Sequence, residues 1–167
     1  MKNEVKFMSE VIKVVDVKIF PHRYLKAETT EKVLNEIYDL DGIVRVIVHG
    51  QPLPKTVPFG PARGLPVNHQ DRKVIKVKGE EMELRVKVGE IIITVEGEKL
   101  EKIMDGIEEI CKRNFPFGYD IYVGAFTKIK PTVTDYMKYG DISSIDPRLI
   151  GMVDASARLK DSVKMIK

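Results

Sequence analysis

The stretch "EKLEKIMDGIEEICKRNF" (98–115) constrains this chain more than any other. Leu100, Ile103, Met104, Ile107, Ile110 and Cys111 recur at helical spacing and form one apolar stripe, with charge on the remaining faces. An earlier stretch, "PHRYLKAETTEKVLNEIYDLDG", repeats the design. It turns at Pro21, has Thr29 or Thr30 as its expected N-cap, aligns Val33, Leu34, Ile37 and Leu40, and stops at Asp41-Gly42. A helix with one apolar stripe needs one apolar surface to lie on. Two such helices in a chain with strands between them call for a sheet covered on one face.

The strands are legible around them. In "VIKVVDVKIF" Val15, Val17 and Ile19 alternate with Asp16 and Lys18. In "IVRVIVH" Val44, Val46 and Val48 oppose Arg45 and His49. "RKVIKVKG", "EMELRVKVG" and "EIIITVEG" read as three short strands joined by glycine-bearing turns, and "GYDIYVGAFTKIK" as a last one. The order is β-α-β-β-β-β-α-β. Setting one inserted hairpin aside leaves the split β-α-β pattern. The expected fold is therefore α+β: a ferredoxin-like antiparallel sheet with two helices on one face, an inserted hairpin and a C-terminal helical extension.

Residues 1–10 read as a polar arm, 11–130 as the core and 131–167 as the extension. Within the core, "GQPLPKTVPFGPARGLPVNHQ" (50–70) breaks every period, with five of the nine prolines and three glycines. It exceeds the ~12–15 residues typical of a structureless connection, and longer loops are mostly functional or disordered. After the last strand, "KPTVTDYMKYG" (130–140) shows neither a helical nor a strand period. "DPRLIGMVDASARLKDSVKMIK" then spaces Leu149, Met152, Ser156, Leu159, Val163 and Ile166 by threes and fours, an amphipathic helix beginning at Asp146-Pro147.

The residues exclude more reaction chemistry than they offer. His22, His49 and His69 have no second ligand at metal spacing. The single cysteine, Cys111, lies on the apolar stripe and reads as a buried thiol; it also precludes an internal disulfide and fits a reducing compartment. There is no phosphate-binding glycine loop and no nucleophile elbow. "FPHRY" offers Arg23 after the first strand without the glycine-rich approach an acylphosphatase-like cradle needs. With 28 basic against 25 acidic residues, the +3 net charge is too even to argue by itself for nucleic acid, which is not the expected partner. The strands carry Val, Ile, Lys and Glu where an RNA platform places aromatics. "MKNEVKFMSEVIKVV" has no continuous apolar run, so neither signal peptide nor membrane span is expected, and the expected compartment is the cytoplasm. No enzyme activity, metal or cofactor is expected.

Contact surfaces remain. Tyr and Arg anchor interfaces because they bury area and still satisfy a polar tip. The candidate partner-binding residues are Phe59 and Arg63 in the proline loop, His22 and Arg23 after the first strand, and Lys130, Asp135, Tyr136 and Tyr139 in the post-strand segment. On composition alone, a floppy loop and a tail strapped across the protein's own body are an equal reading of these segments.

Two long strings carry a resemblance. "KIFPHRYLKAETTEKVLNEIYDLDGIVRVIVHGQPLP" and "PFGYDIYVGAFTKIKPTVTDYMKYG" closely resemble the methyl-coenzyme M reductase operon protein D family of methanogenic archaea, from about Val17 to Gly140. The resemblance implies a non-catalytic assembly or activation factor that binds the apo form of the reductase before its nickel tetrapyrrole, coenzyme F430, is in place. Components of an activation complex are further implied partners. Two other classes stay open. One is a carrier delivering F430, whose carboxylates Lys55, Arg63, Arg72, Lys73 and Lys76 could meet. The other is an RNA-binding regulator, whose affinity would fall steeply with salt.

Overall fold

A computed structural model describes residues 3–7 and 10–152 of the chain, with side-chain surroundings from residue 12 onward. Seven strands and three α-helices follow one another: β1 (Asn3–Phe7), β2 (Glu10–Pro21), α1 (Ala27–Tyr38), β3 (Ile43–Pro52), β4 (Val74–Val77), β5 (Glu80–Glu83), β6 (Val86–Glu96), α2 (Leu100–Asn114), β7 (Tyr119–Gly124) and α3 (Val133–Tyr139). The α+β class stands. β2 is the spine of an antiparallel sheet. It pairs with β6 along one edge and with both β1 and β7 along the other, while β3 pairs on the far side of β6. Reading across gives β7-β2-β6-β3, with α1 after β2 and α2 after β6, the connection order that the split β-α-β pattern requires.

Both helices lie on one face, as their single stripes demand. Val33, Leu34 and Ile37 of α1 and Ile103, Ile107, Ile110 and Cys111 of α2 share one core with Val17, Ile19, Ile91, Ile93 and Val95. The sheet residues are alternate positions, so they occupy a single face. The β4-β5 hairpin is the expected insertion, and it extends the helical layer rather than the sheet. Ile75 and Val77 enter the core, while α1 holds the hairpin backbone. Glu31 accepts from the Lys76 amide at 2.7 Å; Asn35 accepts from the Lys78 amide at 2.8 Å and donates to the Lys76 carbonyl at 2.9 Å.

Several local expectations change. The stretch read as a polar arm contains β1, which pairs with β2 from Asn3↔Val14 to Phe7↔Glu10; backbone bonding needs no apolar signature. α1 begins at Ala27, and Thr30 donates its hydroxyl to the Lys26 carbonyl instead of capping the helix. The strand expected to turn at Gly89 runs straight through it as β6. Here the glycine makes room: a Cβ would sit 3.0 Å from the exposed Tyr24 ring, which would have to shift to admit it. Val44 falls at a register shift between Ile43 and Arg45 and leaves the main core for a smaller cluster with Val14, Ile12 and Ile129. The segment 130–140 contains α3. Past it, Pro147–Leu149 forms a 3-10 turn capped by Asp146; the rest of the expected terminal helix, from residue 153, lies outside the described residues.

Candidate functional site

Strand direction divides the candidate residues between two ends of the sheet. β2 ends, β3 ends and β6 begins at the same end, and there His22, Arg23 and the proline loop emerge. Lys130, Asp135, Tyr136 and Tyr139 follow β7, which runs toward the other end.

The proline loop is a built projection. Leu53 is buried and donates its amide to Arg85 at 2.7 Å. The two arms then exchange Val67 to Lys55 (2.7 Å), Val57 to Leu65 (2.9 Å) and Gly64 to Val57 (2.9 Å), with a bridge between Thr56 and Pro66. The expectation that no ladder forms is thus corrected at its narrowest point, because the bonded positions fall between the prolines. Gly60 and Gly64 adopt positive φ at the tip, where a side chain would be strained. Arg72 ties the base, donating to the Pro54 carbonyl at 2.9 Å and pairing with Glu83 at 3.2 Å. The result lifts Phe59, 84% exposed, together with Leu65 and Arg63, away from the body.

Beside the loop base lies an open cleft lined by Pro21, His22, Arg23, Tyr24 and Gly89. His22 Nε2 is 3.0 Å from the Asp120 carboxylate, and the Arg23 guanidinium sits 5.6 Å from the Phe117 ring centroid. Lys87 covers Tyr24 at 5.8 Å. His22, Arg23 and Tyr24 are exposed, while Lys87 is half-buried and also pairs with Asp71 at 3.5 Å.

At the opposite end the tail is strapped to the uncovered face of the sheet by a buried charge cluster. Asp16 of β2, 2% exposed, accepts from the Phe126 and Thr127 amides (both 2.8 Å), the Thr127 hydroxyl (2.9 Å) and the Thr94 hydroxyl (2.7 Å). Arg45 of β3, 4% exposed, donates to the Lys128 carbonyl at 2.7 Å, the Thr127 hydroxyl at 3.0 Å, the Arg148 carbonyl at 3.3 Å and the Ile150 carbonyl. Burial holds the Arg45 pKa below its ordinary value, and the Asp16 and Asp135 charges oppose that shift. Asp135, fully buried, accepts from the Thr132 amide (2.8 Å) and hydroxyl (2.9 Å), closing a capping box on α3, and from the Gly151 amide at 3.0 Å. Its other oxygen has no hydrogen-bond partner among the described residues.

That commitment sorts the tail candidates. Asp135 serves the chain's own structure. Tyr139 is half-buried, and burial pushes its hydroxyl pKa up. Lys130 is exposed, and so is Tyr136, which joins Val133 and Met137 in an outward i, i+3, i+4 stripe. Val133 and Met137 were missed in the sequence because the seven-residue helix puts its apolar side outward. Arg45 and Asp16 were missed because both alternate with core valines and read as solvated.

Among the described residues, no group of three or more His, Cys, Asp or Glu side chains is placed to hold a metal ion. Cys111 is buried, and burial pushes its thiol up to about 12, far from a reactive thiolate. No described helix is long and apolar enough to cross a membrane.

The fold and these surfaces define an α+β protein with one helix-covered sheet face, a tail strapped across the other, and exposed aromatic side chains at both ends. The chain belongs to the methyl-coenzyme M reductase operon protein D family, whose model matches residues 16–162. It is 54% identical to methyl-coenzyme M reductase I operon protein D of Methanocaldococcus jannaschii, over 92% of this chain and 95% of that one. It is 58% identical to methyl-coenzyme M reductase II operon protein D of Methanothermobacter thermautotrophicus, over 92% and 96%. To operon protein D of Methanococcus voltae it is 47% identical, over 92% and 96%.

Proposed function

We propose that this protein is a non-catalytic factor that binds methyl-coenzyme M reductase in the cytoplasm of a methanogen and assists its maturation around the insertion of coenzyme F430. The family ties the chain to the reductase system. The observation that carries the binding role is the proline loop: a hydrogen-bonded scaffold that holds Phe59 84% exposed, with Leu65 beside it, an arrangement with no use to the protein's own core. Proline and the internal bonds lower the entropy lost on docking.

Preference for the apo reductase would stabilise an open entrance by mass action, and insertion of F430 would expel the factor. Titration against cofactor-free and cofactor-loaded reductase tests this, with tighter binding expected for the former. Equal affinities sink the mechanism, because a ligand without preference shifts no equilibrium. The carrier alternative is weakened by charge pairing. Of the basic residues suited to F430 carboxylates, Lys55 and Arg72 are already paired with Glu83, and Lys73 with Glu28.

A further inference from the structure

We propose that β7 is the seat of a two-fold dimer, pairing antiparallel with β7 of a second copy of this chain. β7 holds β2 in unbroken register from Asp16↔Gly124 to Pro21↔Tyr119, and among the described residues nothing pairs with its other edge. The next pair in that register, His22 and Gly118, is joined by the His22 amide at 2.9 Å. Hydrogen-bonded pairs alternate along an antiparallel ladder. Asp120, Tyr122 and Gly124 therefore turn their backbone groups inward to β2, and Tyr119, Ile121 and Val123 turn theirs outward.

The two sheet edges are treated differently. β3 carries register shifts at Ile43/Arg45 and His49/Gly50 and ends in Pro52, devices that discourage strand addition. β7, "YDIYVG", has no bulge, no proline and no lysine, and it leaves Tyr122 52% and Val123 48% exposed. Phe20 stacks edge-on against Tyr122 at 5.9 Å, and exposed Phe126 continues the aromatic patch through Lys18.

The occupant follows from self-complementarity. A two-fold axis through Ile121 sets Ile121 opposite its own copy and Tyr119 opposite Val123. These three positions lie on the helix-side face, and they own the outward backbone groups, so apolar pairing and ladder bonding coincide. On the other face the same axis sets Asp120 opposite Tyr122, a carboxylate acceptor beside a phenol donor. An unrelated strand would have to supply all of this; a second copy supplies it by symmetry.

Sedimentation equilibrium of the full chain over a concentration series tests the proposal. The expected species has twice the 19.0 kDa chain mass. Val123→Pro removes an outward N–H and should halve that mass while the melting temperature holds. Should the proline variant fail to fold, Val123→Lys, at an exposed side chain, reads the same loss. A wild-type chain that is monomeric throughout overturns the proposal. So does a dimer that survives the folded variant, because it is then built elsewhere.

Discussion

The proline loop (53–73) and the post-β7 tail (125–152) look alike in sequence, since both are irregular and both carry aromatics. They are held by different physics. The loop is closed mainly by its own backbone, with Arg72 and Leu53 at the base. The tail's backbone is claimed by buried charges that belong to the sheet, Asp16 and Arg45, and by Asp135 within the tail. A buried charge is costly unless it is paired and fully bonded, so the sheet needs the tail as much as the tail needs the sheet. Irregular sequence is therefore no guide to freedom. The tail is a structural strap with an exposed apolar outer stripe, whereas the loop is a projection whose tip the rest of the fold does not need.

The largest test of that contrast is Arg45→Met. It leaves Asp16 and Asp135 buried beside a neutral side chain and releases the Lys128 and Ile150 carbonyls. A loss of about 3–5 kcal/mol is expected in a urea melt, with tryptic cleavage rising at Lys128 and Lys138. Equal sensitisation at Lys55 and Arg63 would mean that the two regions are coupled and that the distinction is false.

How far the sequence reveals these regions depends on where each residue's partner lies. The α1 and α2 stripes are legible because a helix buries its own period against whatever sheet is present, and Val33, Ile37, Ile103 and Ile107 are all buried. β1 is not legible, because its pairing is carried by backbone groups shared by every sequence. The continuous β6 is misread at Gly89, where the glycine answers to Tyr24, sixty-five positions away, rather than to a turn. Arg45 is the deepest case. A lone arginine between valines reads as an outward charge on a half-buried strand until Asp16, Thr127 and Ile150 converge on it, and none of them is near it in the chain.

A smaller effect is expected where the loop meets the body. Arg72→Ala removes the bond to the Pro54 carbonyl and the pair with Glu83. The cost should be about 1 kcal/mol, the range of a single partly exposed bond and ion pair. Amide exchange should quicken at Val57 and Val67, whose bonds close the loop, and stay unchanged at Phe126 and Thr127, whose bonds go to Asp16. Faster exchange at both sets would show that the loop base supports the strap.

The smallest effect on stability should come from the tips themselves. Phe59→Ala and Tyr136→Ala remove exposed rings and should each shift unfolding by no more than about 0.5 kcal/mol. If these rings are the anchors on the reductase, each deletion should weaken that complex by about 2 kcal/mol, roughly thirtyfold. Tyr139→Ala is the internal control. Its half-buried ring packs within the tail, so it should lower stability more than either tip and binding less. Should Tyr136 behave like Tyr139, the outer stripe of α3 belongs to the strap and the loop alone does the gripping. If Phe59 also proves silent in binding, a tip held in the open by a dedicated scaffold would have no role on the reductase, and the remaining candidates, His22 and Arg23 beside the loop base, would have to carry the contact.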